Sequence, residues 1–127
     1  MLELRDDTNV DLAALAVLRT RCAFSALPHH VLAQQIAGAR WVAHAYQAGT
    51  LVGFARAISD GVTTAYVSAV MVDPDHRRRG IGRALIRQIL DGRDGIKFVL
   101  HTRPDAAAFY ATLGFTDARD MLVRDRR

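Results

Sequence analysis

Several residue types that define other classes of protein are scarce in this sequence of 127 residues. Its single cysteine, Cys22, excludes an internal disulfide and a multi-cysteine metal site. The longest uninterrupted apolar run, Leu12 to Leu18, has seven residues, whereas a membrane-spanning helix needs roughly 20. The first residues also lack the cationic start and apolar stretch of a signal peptide. We therefore expect a cytoplasmic protein without membrane association, folded as one domain over residues 1–127.

Lysine and glutamate are almost missing, so the charge of the chain rests on arginine and aspartate. Lys97 is the only lysine and Glu3 the only glutamate, and the formal net charge is +4. Five arginines crowd into one segment: Arg77, Arg78, Arg79, Arg83 and Arg87. Arginine suits phosphate, because its planar guanidinium donates two parallel hydrogen bonds to an oxyanion. A solvated basic face is the alternative interpretation. No nucleic acid is expected as a partner, because the arginines surround a glycine turn and no aromatic ladder alternates with them.

Hydrophobic periodicity predicts a mixed order of strands and helices. The predicted strands are residues 2–5, 41–46, 51–58, 64–72 and 96–101, with a turn at Gly49-Thr50. The predicted helices run from a cap at Asp7 or Thr8 to Arg21, from Pro28 to Gly38, from Gly80 to Gly92, and from Ala106 to a left-handed cap at Gly114. The early strands form an antiparallel meander, whereas strand–helix–strand from 64 to 101 is a parallel crossover. The fold class is α/β (α+β), with a mixed central sheet and about four helices.

The segment from Val70 to Gly82 passes from a strand through a turn rich in arginine and glycine into a helix. Backbone N–H groups at a helix N-terminus have no internal partners, and they face outward with the positive end of the helix dipole. Glycines let a diphosphate approach such groups closely. The segment is not a Walker loop, because no Gly-Lys-Ser/Thr follows. It is not a dinucleotide fingerprint either, because Leu85 lies where the third glycine belongs.

The spacing Arg77-x-x-Gly80-x-Gly82, after Val-Asp-Pro and before an amphipathic helix, resembles motif A of the GNAT superfamily of acyl-CoA-dependent N-acetyltransferases. Further along, Phe109-Tyr110-x-x-x-Gly114-Phe115 looks like a second segment of that family. The resemblance covers roughly residues 52–115. It implies a GNAT-like sheet in which the strands 64–72 and 96–101 splay apart. It also implies acetyl-CoA as co-substrate and no metal.

The resemblance implies where acetyl-CoA binds. The pantetheine arm would pair like an extra strand with free backbone groups at Val70 to Val72, and the diphosphate would rest on N–H groups from Arg78 to Arg83. The cofactor-binding residues expected on this basis are Val70, Met71, Val72, Arg77, Arg78, Arg79, Gly80, Ile81, Gly82 and Arg83. Arg78 stands where the family often has glycine, and it crowds the phosphate turn unless its side chain points outward.

Tyr110 is the first expected catalytic residue, because a tyrosine at this position in the family lies near the thioester sulfur and can assist the leaving thiolate. The alternative is a core tyrosine that completes the helix stripe. Many relatives carry an acidic base on the third meander strand, but here the corresponding positions are Ser68 and Ala69. His101 is the candidate base. His44, a water chain and a weakly basic acceptor remain alternatives.

The function expected from this resemblance is direct transfer of an acetyl group from acetyl-CoA to a primary amine, on a small-molecule acceptor. The missing acidic base supports an alternative, a non-catalytic module that binds or senses acyl-CoA. Twelve residues follow Phe115, which is short for the two final strands of the family. Those strands are abbreviated, or a partner chain completes the sheet in a homodimer.

Overall fold

A five-stranded sheet with the strand order β1-β2-β3-β4-β5 organises the computed structural model, which describes residues 1–127. The strands are β1 (Leu2–Arg5), β2 (Trp41–Gln47), β3 (Thr50–Ser59), β4 (Thr64–Val72) and β5 (Lys97–Leu100). The helices are α1 (Leu12–Arg21), α2 (His29–Gly38), α3 (Ile81–Leu90) and α4 (Ala107–Ala111). Two short 3₁₀ turns, Pro74–His76 and Pro104–Ala106, precede α3 and α4. No helix here combines the length and apolar character that a membrane crossing requires.

The pairing of the strands confirms the expected mixed sheet. β1 to β4 pair antiparallel with their neighbours in turn, and β4 pairs parallel with β5 through the α3 crossover. The parallel register begins at Thr64 opposite Lys97 and ends at Val67 opposite Leu100. β4 continues to Val72 on its β3 side, so its last residues have no partner strand on the β5 side.

Each face of the sheet is covered by its own pair of helices. Alternate residues of a strand point to opposite faces, and the two hydrophobic clusters follow this rule. On one face, Val42, Phe54 and Met71 pack against buried leucines of α1 and α2. On the other face, small residues such as Ala43 and Ala55 pack against α3, and Tyr110 of α4 packs at the edge of that cluster. The first is called the α1–α2 face and the second the α3–α4 face.

Gly53 allows α3 to lie directly on the sheet. A Cβ atom at this position would lie 2.8 Å from Leu85 Cδ1 and 2.9 Å from Ile81 Cγ2, closer than real Cβ contacts. Leu85 and Ile81 are fully buried, so the helix has no space to move away. Because Gly53 has no side chain, α3 packs close to the sheet, and this close packing determines the position of the helix N-terminus.

Two expected boundaries are wrong by a few residues. The cap of α1 is Asp11, whose Oδ1 accepts hydrogen bonds from the N–H groups of Ala13 and Ala14. Asp7 cannot serve as the cap because its carboxylate accepts hydrogen bonds from Arg5 and from the N–H of Asn9. The β2–β3 turn falls on Ala48-Gly49, since Gln47 pairs with Thr50.

The chain after α4 leaves the sheet unextended. Gly114 adopts a left-handed backbone with φ +92°, and the N–H of Phe115 donates to the carbonyl of Tyr110, which confirms the expected cap. Residues 116–127 form no helix or strand. β5 therefore lies at the edge of the sheet, as β1 does on the other side.

Candidate active site

β4 has a bulge just beyond the point where its pairing with β5 ends. The register between β3 and β4 shifts after Arg56 opposite Ser68, and Ala69 at the bulge has a left-handed φ of +56°. Beyond the bulge Met71 pairs with Phe54, while the pairing with β5 has already ended at Val67, because β5 ends at Leu100. β4 therefore continues to Val72 without a partner strand on its β5 side, and the space beside these unpaired residues, where the sequence predicts a site for a thioester carrier, is called the gap.

The backbone of Val70 to Val72 borders this gap. The side chain of Met71 packs on the α1–α2 face, whereas Val70 and Val72 pack on the α3–α4 face. The carbonyl of Val72 already accepts hydrogen bonds from Cys22 Sγ and Arg77 Nε, each at 3.2 Å. The end of β4 is therefore bound by side chains of α1 and of the following loop.

The segment from Arg77 to Arg83, which joins the loop after β4 to the first turn of α3, presents an unbroken series of free backbone N–H donors. None of the N–H groups from Arg77 to Arg83 donates to a carbonyl, and no side chain caps α3. Gly80 turns the chain into the helix with a left-handed φ of +79°. Arg77, Arg78 and Arg79 are exposed around these donors. This arrangement has the donors and the charge that a diphosphate requires, so acetyl-CoA fits the residues present.

The side chains of Arg78, in the loop, and Arg83, in the first turn of α3, leave the free N–H groups open. Arg78 has a left-handed φ of +64°, a conformation that favours glycine, and its exposed side chain leaves the loop open. Arg83 instead donates from Nη1 to Thr112 Oγ1 at 3.1 Å, which connects α3 to the residue after α4. Its backbone N–H remains a free donor.

A buried carboxylate connects α1 to this loop, and sequence analysis did not find it. Asp73 accepts hydrogen bonds from Arg21 Nε and from His76 Nδ1, the second at 2.7 Å. The Arg21 hydrogen bond is the largest cause that lowers the pKa of Asp73, to about 2. Arg21 also donates from Nη2 to Asp75 at 2.9 Å. Arg21 and Asp73 are 52 positions apart, so no local pattern in the sequence indicates the pair.

Tyr110 lies on α4 with its ring in a small aromatic cluster. The ring meets Phe109 edge-on at a centroid distance of 5.0 Å and Phe115 at 5.7 Å. Burial raises the pKa of Tyr110, and this is the only cause of the shift. The hydroxyl is therefore protonated at neutral pH and has a proton to donate. Tyr110 and His101 line one cavity of about 1050 Å³ between β5, α4 and the last residues of the chain.

The two histidines considered as bases have different surroundings. His101 follows β5 directly and is exposed, and its ring lies 6.3 Å from the ring of Tyr66 on β4. His44 is fully buried, with Nδ1 at 2.8 Å from the Tyr46 hydroxyl and Nε2 at 2.9 Å from the Asp7 carbonyl. His44 therefore holds the start of the chain against β2, away from the gap.

Two arginines on the α1–α2 face were also missed. Arg56 lies on β3 opposite Ser68, and its Nε is the one buried side-chain nitrogen or oxygen without a hydrogen-bond partner. Arg19 of α1 is 6 % exposed and donates only to Ser25. The available signal was an arginine in the otherwise apolar run Leu51 to Ile58.

The model of the family described as "Acetyltransferase (GNAT) domain" matches residues 37–117, more than half of the chain. The chain belongs to the GNAT acetyltransferase family. Serotonin N-acetyltransferase 2 of Oryza sativa subsp. japonica is 31% identical over 118 residues, which cover 87% of this GNAT chain and 59% of that relative. The chain thus spans little more than half the length of that curated relative.

Solved structures agree with the assignment to the GNAT family. A putative GNAT acetyltransferase from Xanthomonas campestris pv. campestris has a TM-score of 0.85 and 27% identity, covering 99% of this chain and 94% of its own. AAC(6')-Iy, solved in complex with the bisubstrate analogue CoA-S-monomethyl-acetylneamine, has a TM-score of 0.75 and 20% identity, and the match covers 100% of this chain and 99% of that one. The second likeness shows the fold. These matches confirm the family and fold expected from the sequence, while the roles of individual residues stay predictions.

Proposed function

We propose that this GNAT chain is an N-acetyltransferase that moves an acetyl group from acetyl-CoA directly to a primary amine. The observation that carries the proposal is the continuity of two features. The pairing of β4 with β5 ends at Val67, which leaves β4 unpaired on that side up to Val72, and the free N–H groups from Arg77 to Arg83 follow shortly after β4 ends. Acetyl-CoA has a pantetheine arm that ends in the thioester and a diphosphate further along the molecule. The arm needs an unpaired strand edge, and the diphosphate needs N–H donors just beyond that edge.

The donor side of the proposed site is built from main-chain atoms. Acetyl-CoA supplies the acetyl thioester when bound. The edge of Val70 to Val72 aligns the carrier, which displaces Cys22 or Arg77 where it pairs with the Val72 carbonyl. A backbone N–H near Met71 steadies the oxygen that becomes negative during attack. The loop from Arg77 to Gly82 holds the diphosphate with N–H groups, and the exposed guanidiniums around it add charge.

Tyr110 is proposed to assist the departure of the thiolate. A tyrosine with an ordinary pKa near 10 is a weaker acid than a thiol near 8.5, and burial raises the pKa of Tyr110 further. Complete proton transfer to a free thiolate is therefore uphill. The favourable arrangement is a hydrogen bond from the Tyr110 hydroxyl to the sulfur that strengthens as the C–S bond breaks. This hydrogen bond requires that the hydroxyl donate to no other group.

His101 is proposed to take the proton from the acceptor amine. An amine with a pKa near 10 is mostly protonated at neutral pH, so a base has to remove a proton before attack. The β4 positions next to the bulge are Ser68 and Ala69, and neither can act as a base. His101 follows β5 and packs near Tyr66 on the α1–α2 face, and Tyr110 packs on the α3–α4 face, so in this proposal the base and the acid reach the gap from opposite faces.

Kinetics of Tyr110→Phe with a panel of primary amines tests the proposal. We expect the wild-type chain to acetylate at least one amine, and the variant to lose about 10²–10⁴-fold in kcat because the sulfur loses its hydrogen bond. The KM for acetyl-CoA should change little. Tyr46→Phe is the matched control, since the Tyr46 hydroxyl contacts His44 and lies away from the gap.

The outcomes separate the enzyme from a binding module. Calorimetric binding of CoA without turnover of any amine would favour the non-catalytic module. No binding of CoA at all would contradict both. Equal kcat values for wild type and Tyr110→Phe would leave the activity standing but remove Tyr110 from the mechanism.

A further inference from the structure

Arg56 is a charged residue in the middle of a buried strand. Its neighbours along β3, Ala55 and Ala57, are fully buried against α3, so Arg56 points to the α1–α2 face. Its guanidinium has no ion pair, and its Nε is buried without a hydrogen-bond partner in the protein. An unpaired buried donor of this kind destabilises the fold, and it does so more strongly when it is charged.

Arg19 brings a second cation to the same face. α1 packs against β3, and Arg19 belongs to the buried face of α1. Burial, and after it the positive charge of Arg19, lowers the pKa of Arg56. Nε and Nη2 of Arg19 donate to the carbonyl of Ser25 at 3.0 and 2.9 Å, and its guanidinium lies 5.4 Å from the centroid of the Phe24 ring. No acidic side chain forms an ion pair with Arg19.

Two guanidiniums held near each other without a carboxylate are unfavourable unless a ligand brings the opposite charge. The place is informative, because Arg56 pairs in register with Ser68, the residue before the β4 bulge. Directly opposed residues of antiparallel strands have Cβ atoms about 4.5–5.5 Å apart. Arg56 therefore lies one strand away from the gap, across β4, and its side chain is on the same face of the sheet as Tyr66, whose ring lies 6.3 Å from that of His101.

We infer that Arg56 and Arg19 form an oxyanion site for the acceptor, so that the amine acetylated by this chain carries a carboxylate or a phosphate group. The inference rests on the proposed function and adds the class of substrate. The oxyanion would receive hydrogen bonds from the free donors of Arg56, with Arg19 adding charge, while the amine reaches the gap beside His101. Arg56 and Arg19 then determine specificity and take no part in the chemical step.

Paired acceptors test this site. Each pair differs only in the charged group: an α-amino acid with its carboxamide, and an aminoalkyl phosphate with its amino alcohol. We expect Arg56→Met to raise the KM of a charged acceptor at least tenfold, and to leave the KM of its neutral partner and of acetyl-CoA within about twofold. Arg87→Met, which removes an exposed arginine of α3, is the control that should change none of these values.

The two pairs identify the anion, since a response confined to one pair names carboxylate or phosphate. Equal effects on charged and neutral members, or no effect on either, would overturn the inference. Stability gives an independent readout. Arg56→Met should raise the melting temperature, because it removes a buried Nε–H donor without a partner from a partly buried cation, whereas loss of a purely structural arginine would lower it.

Failure of the proposed function is distinguishable from failure of this site. If the wild-type chain acetylates no amine, the anion site is probed by binding alone. The protein is first saturated with CoA, which fills the loop from Arg77 to Gly82, and is then titrated with acetate or inorganic phosphate. A rise in melting temperature in wild type and not in Arg56→Met supports the anion site, and no rise in wild type overturns it.

Discussion

Four residues other than glycine have a left-handed backbone, and two of them border the proposed site. Ala23 follows α1 and Ala48 lies in the β2–β3 turn, whereas Ala69 lies at the β4 bulge and Arg78 among the free N–H groups before α3. A side chain in this conformation is strained by roughly 1–2 kcal/mol. The strain at Ala69 and Arg78 falls at the two places where the proposed carrier meets the backbone, which is typical of functional sites.

Replacing Arg78 with glycine should relieve this strain. Because the φ of +64° suits glycine, we expect Arg78→Gly to raise the free energy of unfolding by about 0.5–1 kcal/mol, less than the full strain since glycine also gains freedom in the unfolded chain. Urea denaturation measures the change. Arg79→Gly is the matched control at a position without positive φ, and it should lower stability. If both variants behave alike, the strain at Arg78 is not real.

At the scale of elements, the placement of α3 depends on a missing side chain. We expect Gly53→Ala to lower the free energy of unfolding by about 1–3 kcal/mol, because the new Cβ would overlap Leu85 and Ile81. The same push moves the N-terminus of α3, so the KM for acetyl-CoA should rise. Gly38→Ala, at the end of α2, meets nothing within 4 Å and serves as the control. An unchanged KM in a folded Gly53→Ala would contradict this account.

The elements themselves could be predicted because their signals are local. β4 begins and ends where the β-branched run from Thr64 to Val72 does, and Pro74 stops it. The predicted cap of α1, Asp7 or Thr8, was wrong, because only the fold shows that the Asp7 carboxylate is occupied and that Asp11 accepts from the first N–H groups of the helix. The arginine pair on the α1–α2 face could not be predicted either, because it depends on α1 packing across β3.

At the scale of the whole molecule, Asp73 fastens α1 to the loop that precedes α3. The pKa of Asp73 is about 2 in the folded chain, below its ordinary value of 3.8. A carboxylate with a lowered pKa contributes stability above its unfolded value, and this contribution is lost as the pH falls. The stabilisation by Asp73 is therefore complete above about pH 4 and disappears towards pH 2.

A pH series of melting temperatures for wild type and Asp73→Asn measures this contribution. We expect wild type to be clearly more stable at pH 6, and the two to converge as the pH falls from about 4 to about 2. Arg21→Met should lower the stability of wild type, and lower that of Asp73→Asn much less, because the two side chains act as a pair. A difference that persists at pH 2 would show that Asp73 acts through packing and not through its charge.

The end of the β4–β5 pairing at Val67 also has a consequence for the order of binding. In the proposed function the donor contacts β4 and the start of α3, and the acceptor binds on the α1–α2 face. We therefore expect the two substrates to bind through separate faces of the sheet and in either order, and a single molecule that links them to contact both faces at once.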